Sequence, residues 1–277
     1  MSGFLDDMAS LSAARVAEAI RHESAEALER RARRAAPSAP LRLSASGFDV
    51  IAELKLRSPA AGPLGDESQD WLGRVAAYAR GGAAAVSVLT EPSRFDGSLE
   101  HLRRAAAALV PLGVPAMRKD FLVDPYQVLE ARAAGAGGVL IILRMLTPPR
   151  IEQLLDVAAE HGMFVLLEAF DEVDLAVARD LMSSRAAPRA GELILIGVNC
   201  RDLQTLQVVP ERFAALAPLL PAGRPAVAES GVAGGDDARR MQQLGYRAAL
   251  IGTALMARED PSGLLREIFD ATRTVLP

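Results

Sequence analysis

The sequence predicts an α/β protein, a single (β/α)8 barrel that follows an N-terminal helical segment. Three observations lead to this prediction. The chain alternates eight times between a short apolar run and a helix-like segment, the apolar runs are continuous, and glycines precede several of them. Continuous apolar runs are typical of parallel strands that helices cover on both faces, and glycine ends the helix before the next strand. An open, doubly wound sheet is the alternative architecture.

Length and composition set the class of protein. The 277 residues, half of them apolar, suit one large domain with a sizeable core. The formal net charge of -4 gives no support for nucleic-acid binding, and the single cysteine, Cys200, excludes an internal disulfide framework. No stretch approaches the roughly 20 apolar residues of a membrane span, and the first residues do not resemble a signal peptide. We therefore expect a cytoplasmic protein with no nucleic-acid or membrane partner.

The first part of the chain differs in composition from the rest. Residues 9–36 are rich in Ala, Glu and Arg and predict one or two amphipathic helices. A run of four arginines between residues 30 and 34 is better explained by a solvated helix end than by an anion site. We expect residues 1–47 to form a helical extension packed on the barrel, with a linker at its end, and residues 48–277 to form the barrel.

The eight strand and helix units follow in order. Strands are predicted at residues 50–55, 85–90, 115–119, 138–143, 164–168, 193–198, 226–229 and 248–252. Helices are predicted at residues 70–80, 98–109, 125–134, 148–161, 172–182, 236–244, and near 210–219 and 261–272. Residues 183–192 are richer in Arg, Pro and Ala than the connection requires, and we expect a surface insertion there.

Charged side chains stand at the predicted strand ends, where a barrel builds its active site. Glu53 and Lys55 are two residues apart on the first strand and therefore share one side. On the third strand Arg118 and Lys119 point in opposite directions, and we expect Lys119 to serve the site and Arg118 the scaffold. Glu168 ends the fifth strand. Converging lysines and carboxylates perturb each other's pKa, as acid–base catalysis requires, although a salt-bridge layer closing the barrel is the alternative.

The last two strands end in small residues that predict an anion site. Ser230-Gly231 and Gly252-Thr253 can expose backbone N–H groups, and barrels often bind phosphate after these two strands. Ser58 could add a hydroxyl from across the mouth. We therefore expect a phosphorylated small-molecule substrate.

Metals and cofactors receive no support from the sequence. The three histidines lie in helical stretches, and no Cys, His and Asp residues are spaced as metal ligands. No dinucleotide-binding fingerprint follows the first strand. We expect neither a catalytic metal nor a nicotinamide or flavin.

Several segments resemble the indole-3-glycerol-phosphate synthase family, the barrel enzymes of tryptophan biosynthesis. They are IAELKLRSP at 51–59, SVLTE at 87–91 with FDGS at 95–98, RKDF at 118–121 with DPYQ at 124–127, LE at 167–168, GVNCRDL at 197–203, AESGV at 228–232 and IGTALM at 251–256. The resemblance implies the decarboxylating, dehydrating ring closure of 1-(2-carboxyphenylamino)-1-deoxyribulose 5-phosphate to indole-3-glycerol phosphate. It implies no cofactor.

The resemblance also implies roles for the strand-end residues. Lys119 would be the general acid, Lys55 would hold the aryl carboxylate, and Glu168 would be the general base. Glu53 would orient both lysines, and Asn199 would hydrogen-bond the reacting end of the substrate.

Further residues would bind the substrate. Arg201 would support the carboxylates, and Phe121 and Leu140 would form an apolar wall for the aryl ring. Glu229 is a further candidate for substrate binding, beside the phosphate site.

Four residues depart from the family pattern: Leu56, Ala169, Phe170 and Arg144. They leave open a paralogue that acts on a substituted analogue. The sequence also leaves open a Schiff-base aldolase with Lys119 as nucleophile, and a non-enzymatic protein that binds a sugar phosphate. We expect a monomer, with a dimer as the alternative.

Overall fold

Eight parallel strands close into a barrel in this computed structural model, which describes residues 3–58, 62–63, 70–185, 192–203 and 205–273. Each strand pairs with its neighbours in chain order, and the last pairs with the first. The strands are β1 Asp49–Leu54, β2 Ala85–Leu89, β3 Ala116–Lys119, β4 Gly138–Ile142, β5 Phe164–Ala169, β6 Ile194–Asn199, β7 Ala226–Glu229 and β8 Ala248–Ile251. The prediction of a (β/α)8 barrel, the TIM barrel, is confirmed, and the doubly wound sheet is excluded.

Two helices precede the barrel, and one main helix follows each strand. The helices are α1 Phe4–His22, α2 Ala25–Arg34, α3 Trp71–Arg80, α4 Leu99–Leu109, α5 Pro125–Ala133, α6 Pro148–Glu160, α7 Glu172–Ser184, α8 Glu211–Leu216, α9 Gly235–Gln243 and α10 Pro261–Thr272. Local sequence explains several starts. Asp124 and Asp260 each cap a helix whose first residue is proline, where the missing N–H costs no hydrogen bond.

The structure adds short elements that the sequence did not predict. Pro92–Phe95 and Thr253–Met256 are single helical turns, and Arg57–Ser58 pairs with Gly62–Pro63 as a short antiparallel ribbon. The surface insertion was predicted to begin at residue 183, which is too early, because α7 continues through Ser184. Residues 186–191 of that prediction lie outside the described residues.

Side chains alternate between two buried clusters. One cluster fills the barrel and contains Ile51, Met117, Leu140, Leu166, Leu195, Val227 and Leu250. The other lies between the strands and the surrounding helices, and includes Val50, Val86, Val139, Val165 and Ile196. Strand side chains alternate between the two faces. The residue two positions after each of the barrel-filling residues on its strand therefore also points inward, at the carboxyl end of that strand.

The first N-terminal helix contacts the same end of the barrel, and the second packs on an outer helix. Helix α1 places Phe4 edge-on to Phe121, with ring centroids 5.8 Å apart, and its Ser12 hydroxyl donates to the Phe121 carbonyl at 2.5 Å. Helix α2 buries Leu28 and Ala32 against α5. None of the helices in the described ranges is long and apolar enough to cross a membrane.

Candidate active site

A cavity of about 460 Å³ opens at the carboxyl ends of the strands. Every site residue predicted from the sequence lines it except Ser58, whose side chain lies outside the described part of the structure. The predicted residues brought together are Glu53, Lys55, Lys119, Phe121, Leu140, Glu168, Asn199, Arg201, Glu229, Ser230, Gly231, Gly252 and Thr253. Residues from every third of the chain therefore share one chamber.

Glu53 and Lys55 form an ion pair at the end of β1. The Lys55 Nζ lies 2.9 Å from the Glu53 Oε1, and the Glu53 side chain is only 4 % exposed. Burial alone would raise the pKa of Glu53, but the charges of Lys55 and Lys119 outweigh it and lower that pKa. Glu53 is therefore a carboxylate at neutral pH.

Lys119 ends β3 and faces three carboxylates across the cavity. Its Nζ is 3.5 Å from the Glu229 Oε2 and 3.9 Å from the Glu168 Oε1. Burial opposes the charged form, yet Glu168, Glu229 and Glu53 together raise the pKa of Lys119 above its ordinary value. Lys119 therefore carries its proton at neutral pH. Lys55 and Lys119 are also the only two lysines in the chain.

The neighbouring Arg118 points away from the cavity, as predicted. Its guanidinium donates to the Gln127 carbonyl at 2.8 Å and to the Glu130 carboxylate at 2.9 Å. It also donates to Asp120 at 3.1 Å, and Arg15 of α1 binds the same carboxylate at 2.7 and 3.0 Å. These contacts lie behind Lys119 and fix the turn at the end of β3.

Glu168 and Asn199 meet across β5 and β6. The Asn199 amide donates to the Glu168 Oε1 at 2.5 Å, and the Asn199 Oδ1 accepts from the Arg201 backbone N–H at 2.9 Å. The Arg201 guanidinium donates to the Leu206 carbonyl at 2.6 Å. Its influence on the carboxylates is therefore through its charge, which helps to lower the pKa of Glu53.

Glu229 is the least satisfied carboxyl group of the site. Its Oε1 has no hydrogen-bond partner in the described structure, while its Oε2 faces Lys119. Burial and the nearby charge of Glu168 raise the pKa of Glu229 to about 8, although Lys119 opposes this rise. Glu229 thus binds a proton more readily than an ordinary carboxylate does, whereas Glu53 binds one less readily.

Aromatic side chains line the side of the cavity next to β3, β4 and β5. The predicted wall of Phe121 and Leu140 is extended by Phe95 and Phe170, and by Phe4 from α1. The sequence did not predict these three additions. Phe170 could have been found by strand alternation, since it lies two residues after Glu168, whereas the docking of Phe4 has no local sequence signal.

The opposite side of the cavity, next to β7 and β8, has small residues and open backbone. Ser230 and Gly231 both adopt the left-handed conformation, with φ of 65° and 82°. The Cys200 thiol donates to the Ser230 carbonyl at 3.1 Å and holds this turn in place. Thr253 begins the short helical turn that follows β8. The chamber thus has an apolar end, an end with exposed backbone, and lysines with carboxylates between them.

The family model described as indole-3-glycerol phosphate synthase matches residues 5–268. An indole-3-glycerol phosphate synthase from a Nocardioides species is 45 % identical over 224 residues, which is 81 % of each chain. One from Methanopyrus kandleri is 42 % identical over 235 residues, which is 84 % of this chain and 87 % of the relative.

A solved structure of low sequence identity has the same fold. The 3-hexulose-6-phosphate synthase from Salmonella typhimurium superposes with a TM-score of 0.60 at 12 % identity, over 81 % of this chain and 98 % of that one. At this identity the likeness concerns the barrel alone.

Proposed function

Because the chain belongs to the indole-3-glycerol phosphate synthase family, we propose that its cavity performs the ring closure with the residues described above. The chain is a decarboxylating lyase of tryptophan biosynthesis. Its substrate in this proposal is 1-(2-carboxyphenylamino)-1-deoxyribulose 5-phosphate. The substrate lies with its aryl ring against Phe121 and Leu140 and its phosphate at the opposite side of the chamber.

Ring closure uses the two lysines in different ways. The ring carbon that bears the carboxylate attacks the ketone carbon, and Lys119 gives its proton to the ketone oxygen, which becomes a hydroxyl group. Lys55 holds the aryl carboxylate until the bond to the ring breaks and CO2 leaves. The electrons of that bond restore the aromatic ring. Holding the two carbons in contact removes an entropic cost that otherwise slows the reaction.

Dehydration completes the indole. Glu168 accepts a proton from the carbon next to the ring nitrogen, and the new hydroxyl leaves as water after taking a proton from a cavity ammonium group. Asn199 fixes the Glu168 carboxylate through the hydrogen bond of 2.5 Å. Glu53 orients Lys55 through their ion pair.

The phosphate lies at the ends of β7 and β8 in this proposal. Ser230, Gly231, Gly252 and Thr253 line that side of the cavity. The hydroxyl predicted from Ser58 stays part of the proposal, although that side chain lies outside the described structure. Left-handed turns such as the one at Ser230 point consecutive N–H groups in one direction, an arrangement that suits an anion.

One observation carries the assignment: Lys119 lies within 4 Å of two carboxylates in a chamber that is apolar at one end. This setting keeps the ammonium protonated and ready to act as an acid. It opposes a Schiff-base aldolase, which needs a neutral, nucleophilic lysine.

The test is to add the carboxyphenylamino sugar phosphate to the pure protein and to follow indole fluorescence. Lys119→Met should lower turnover by about 100-fold or more, the usual scale for a positioned acid. Lys119→Arg keeps the charge but does not release a proton at neutral pH, so it should remain equally slow. Near-wild-type turnover in either variant would reassign the acid.

Four further properties are part of the proposal. We infer that the protein is a cytoplasmic monomer that works without a cofactor. Residues 1–47 act as an extension of the barrel rather than as a separate domain, because α1 supplies Phe4 to the cavity and Arg15 to Asp120.

A further inference from the structure

The geometry points to Gly197 as a positioning residue that seats the Glu229 carboxyl group beside Lys119. Gly197 lies on β6 and faces the barrel interior, two residues before Asn199. A Cβ atom built at this position would overlap the Glu229 Oε1 and lie 3.1 Å from the Glu229 Cδ. The Glu229 carboxyl group therefore occupies the space that the Cβ atom of any other residue at position 197 would fill. This inference rests on the proposed function of Lys119.

A second glycine repeats the arrangement, which indicates a general feature of this site. A Cβ atom built at Gly252 would overlap the Glu53 Oε1 and lie 3.1 Å from the Lys55 Nζ. Two of the three buried glutamates that line the cavity thus lie over a glycine of an adjacent part of the barrel. The bare backbone lets their carboxyl groups withdraw from the chamber and leaves room for the substrate.

The backbone at Gly197 does not itself require glycine. Gly197 lies within β6, pairs in register with Glu168 and Val227, and is not among the residues with positive φ. An alanine there would adopt the same backbone without strain. The severe overlap is with the end of a flexible side chain, whereas the Leu166 Cδ1, 3.1 Å from the same Cβ, has to move by only a few tenths of an ångström. Alanine should therefore displace the Glu229 carboxyl group and leave the barrel folded.

Displacement of the Glu229 carboxyl group would directly affect the protonation of Lys119. The Glu229 Oε2 is 3.5 Å from the Lys119 Nζ, the shortest distance between that ammonium and a carboxyl group in the described residues. The two oxygens of one carboxyl group move together. We expect a shift of Oε1 away from position 197 to lengthen this contact, so that Lys119 loses an acceptor that stabilises its protonated form.

Gly197→Ala can be tested without substrate, because the chain has only two lysines. Protein labelled with 13C at the lysine side chains gives two side-chain signals, and Lys119→Met assigns them. We expect Gly197→Ala to lower the pKa of Lys119 by about half a unit or more, a threefold change in its ionisation constant. We expect kcat to fall by about tenfold or more, less than the roughly 100-fold loss expected on removing the acid, because Lys119 is still present. Gly263→Ala is the matched control, since a Cβ there meets no atom closer than 3.9 Å.

A double variant separates positioning from simple crowding. Glu229→Asp shortens the side chain by one carbon and vacates the space at position 197. Adding Gly197→Ala to Glu229→Asp should therefore change kcat and the ionisation constant of Lys119 each by less than about twofold, a clear departure from additivity. If Gly197→Ala does not fold, the double variant should restore folding.

Three results would overturn the inference. They are an unchanged Lys119 pKa in folded Gly197→Ala, equal effects of Gly197→Ala in both backgrounds, or a double variant that also fails to fold. The titration separates this inference from the proposed function. If Gly197→Ala shifts the Lys119 pKa but the wild type forms no indole, Gly197 positions Glu229 as inferred and the proposed reaction is wrong.

Discussion

Replacing Asp120 by asparagine removes the charge that holds two arginines behind Lys119. The Asp120 side chain is fully buried and accepts hydrogen bonds from Arg15, Arg118 and the Thr90 hydroxyl, the last at 2.7 Å. Burial alone would raise the pKa of Asp120, but Arg118 and Arg15 outweigh it and lower this pKa to about 2. The ionised carboxylate therefore stabilises the folded state.

The magnitude follows from these contacts. A pKa of about 2 against an ordinary value of 3.8 corresponds to roughly 2 kcal/mol of stability at neutral pH. Removing one partner of a buried ion pair typically costs about 3–5 kcal/mol, because the other charge is left uncompensated. Arg118 would keep Glu130 at 2.9 Å, so we expect Asp120→Asn to cost about 3 kcal/mol, at the lower end of that range.

Urea denaturation at pH 7 measures this cost, and Arg15→Gln provides a graded comparison. The Arg15 side chain is 30 % exposed, so its loss should cost only about 1–2 kcal/mol. The Asp120 contribution is present above its unfolded pKa and disappears as the pH falls towards 2, so wild type and Asp120→Asn should converge in acid. A cost below about 0.5 kcal/mol for Asp120→Asn, or an equal cost for the two variants, would refute the reasoning.

Two other predictions address the chemistry directly. Glu168→Gln should slow dehydration and let a decarboxylated, hydrated intermediate accumulate in quenched samples, because the amide cannot accept the proton; its absence would remove the general-base role from Glu168. Ser230→Asp should raise KM by about tenfold or more through repulsion of the phosphate. Ser230→Asn is its control, since both residues tolerate the left-handed backbone at φ 65° and only Asp adds charge. Equal KM values for these two variants would place the phosphate elsewhere.

The barrel and the cavity could be predicted because both follow from local patterns. A strand that is buried on both faces must be apolar along its length, so runs such as Val165–Leu167 in β5 identify parallel strands without any knowledge of neighbours. Once eight such strands are counted, their carboxyl ends must converge. The charged residues that follow the apolar runs, Lys119 and Glu168 among them, then meet as a geometric consequence.

The parts that escaped prediction depend on contacts between distant elements. Phe4 reaches the cavity only because α1 docks through Ser12 and Arg15, and an amphipathic helix does not reveal where it will dock. The positioning role of Gly197 becomes visible only when the direction of the Glu229 side chain is known. A glycine in a strand sequence is otherwise read as a weakness of the strand.

The confinement of both lysines to the cavity has a practical consequence. All other cationic side chains of this chain except histidine are arginines, which do not react with acylating reagents under mild conditions. An amine-directed covalent reagent would therefore find its side-chain targets only inside the chamber, at Lys55 and, more slowly because its ammonium is held protonated, at Lys119. Such a reagent, with its rate measured in the presence and absence of a phosphorylated ligand, would report occupancy of the chamber with no lysine background from the outer surface.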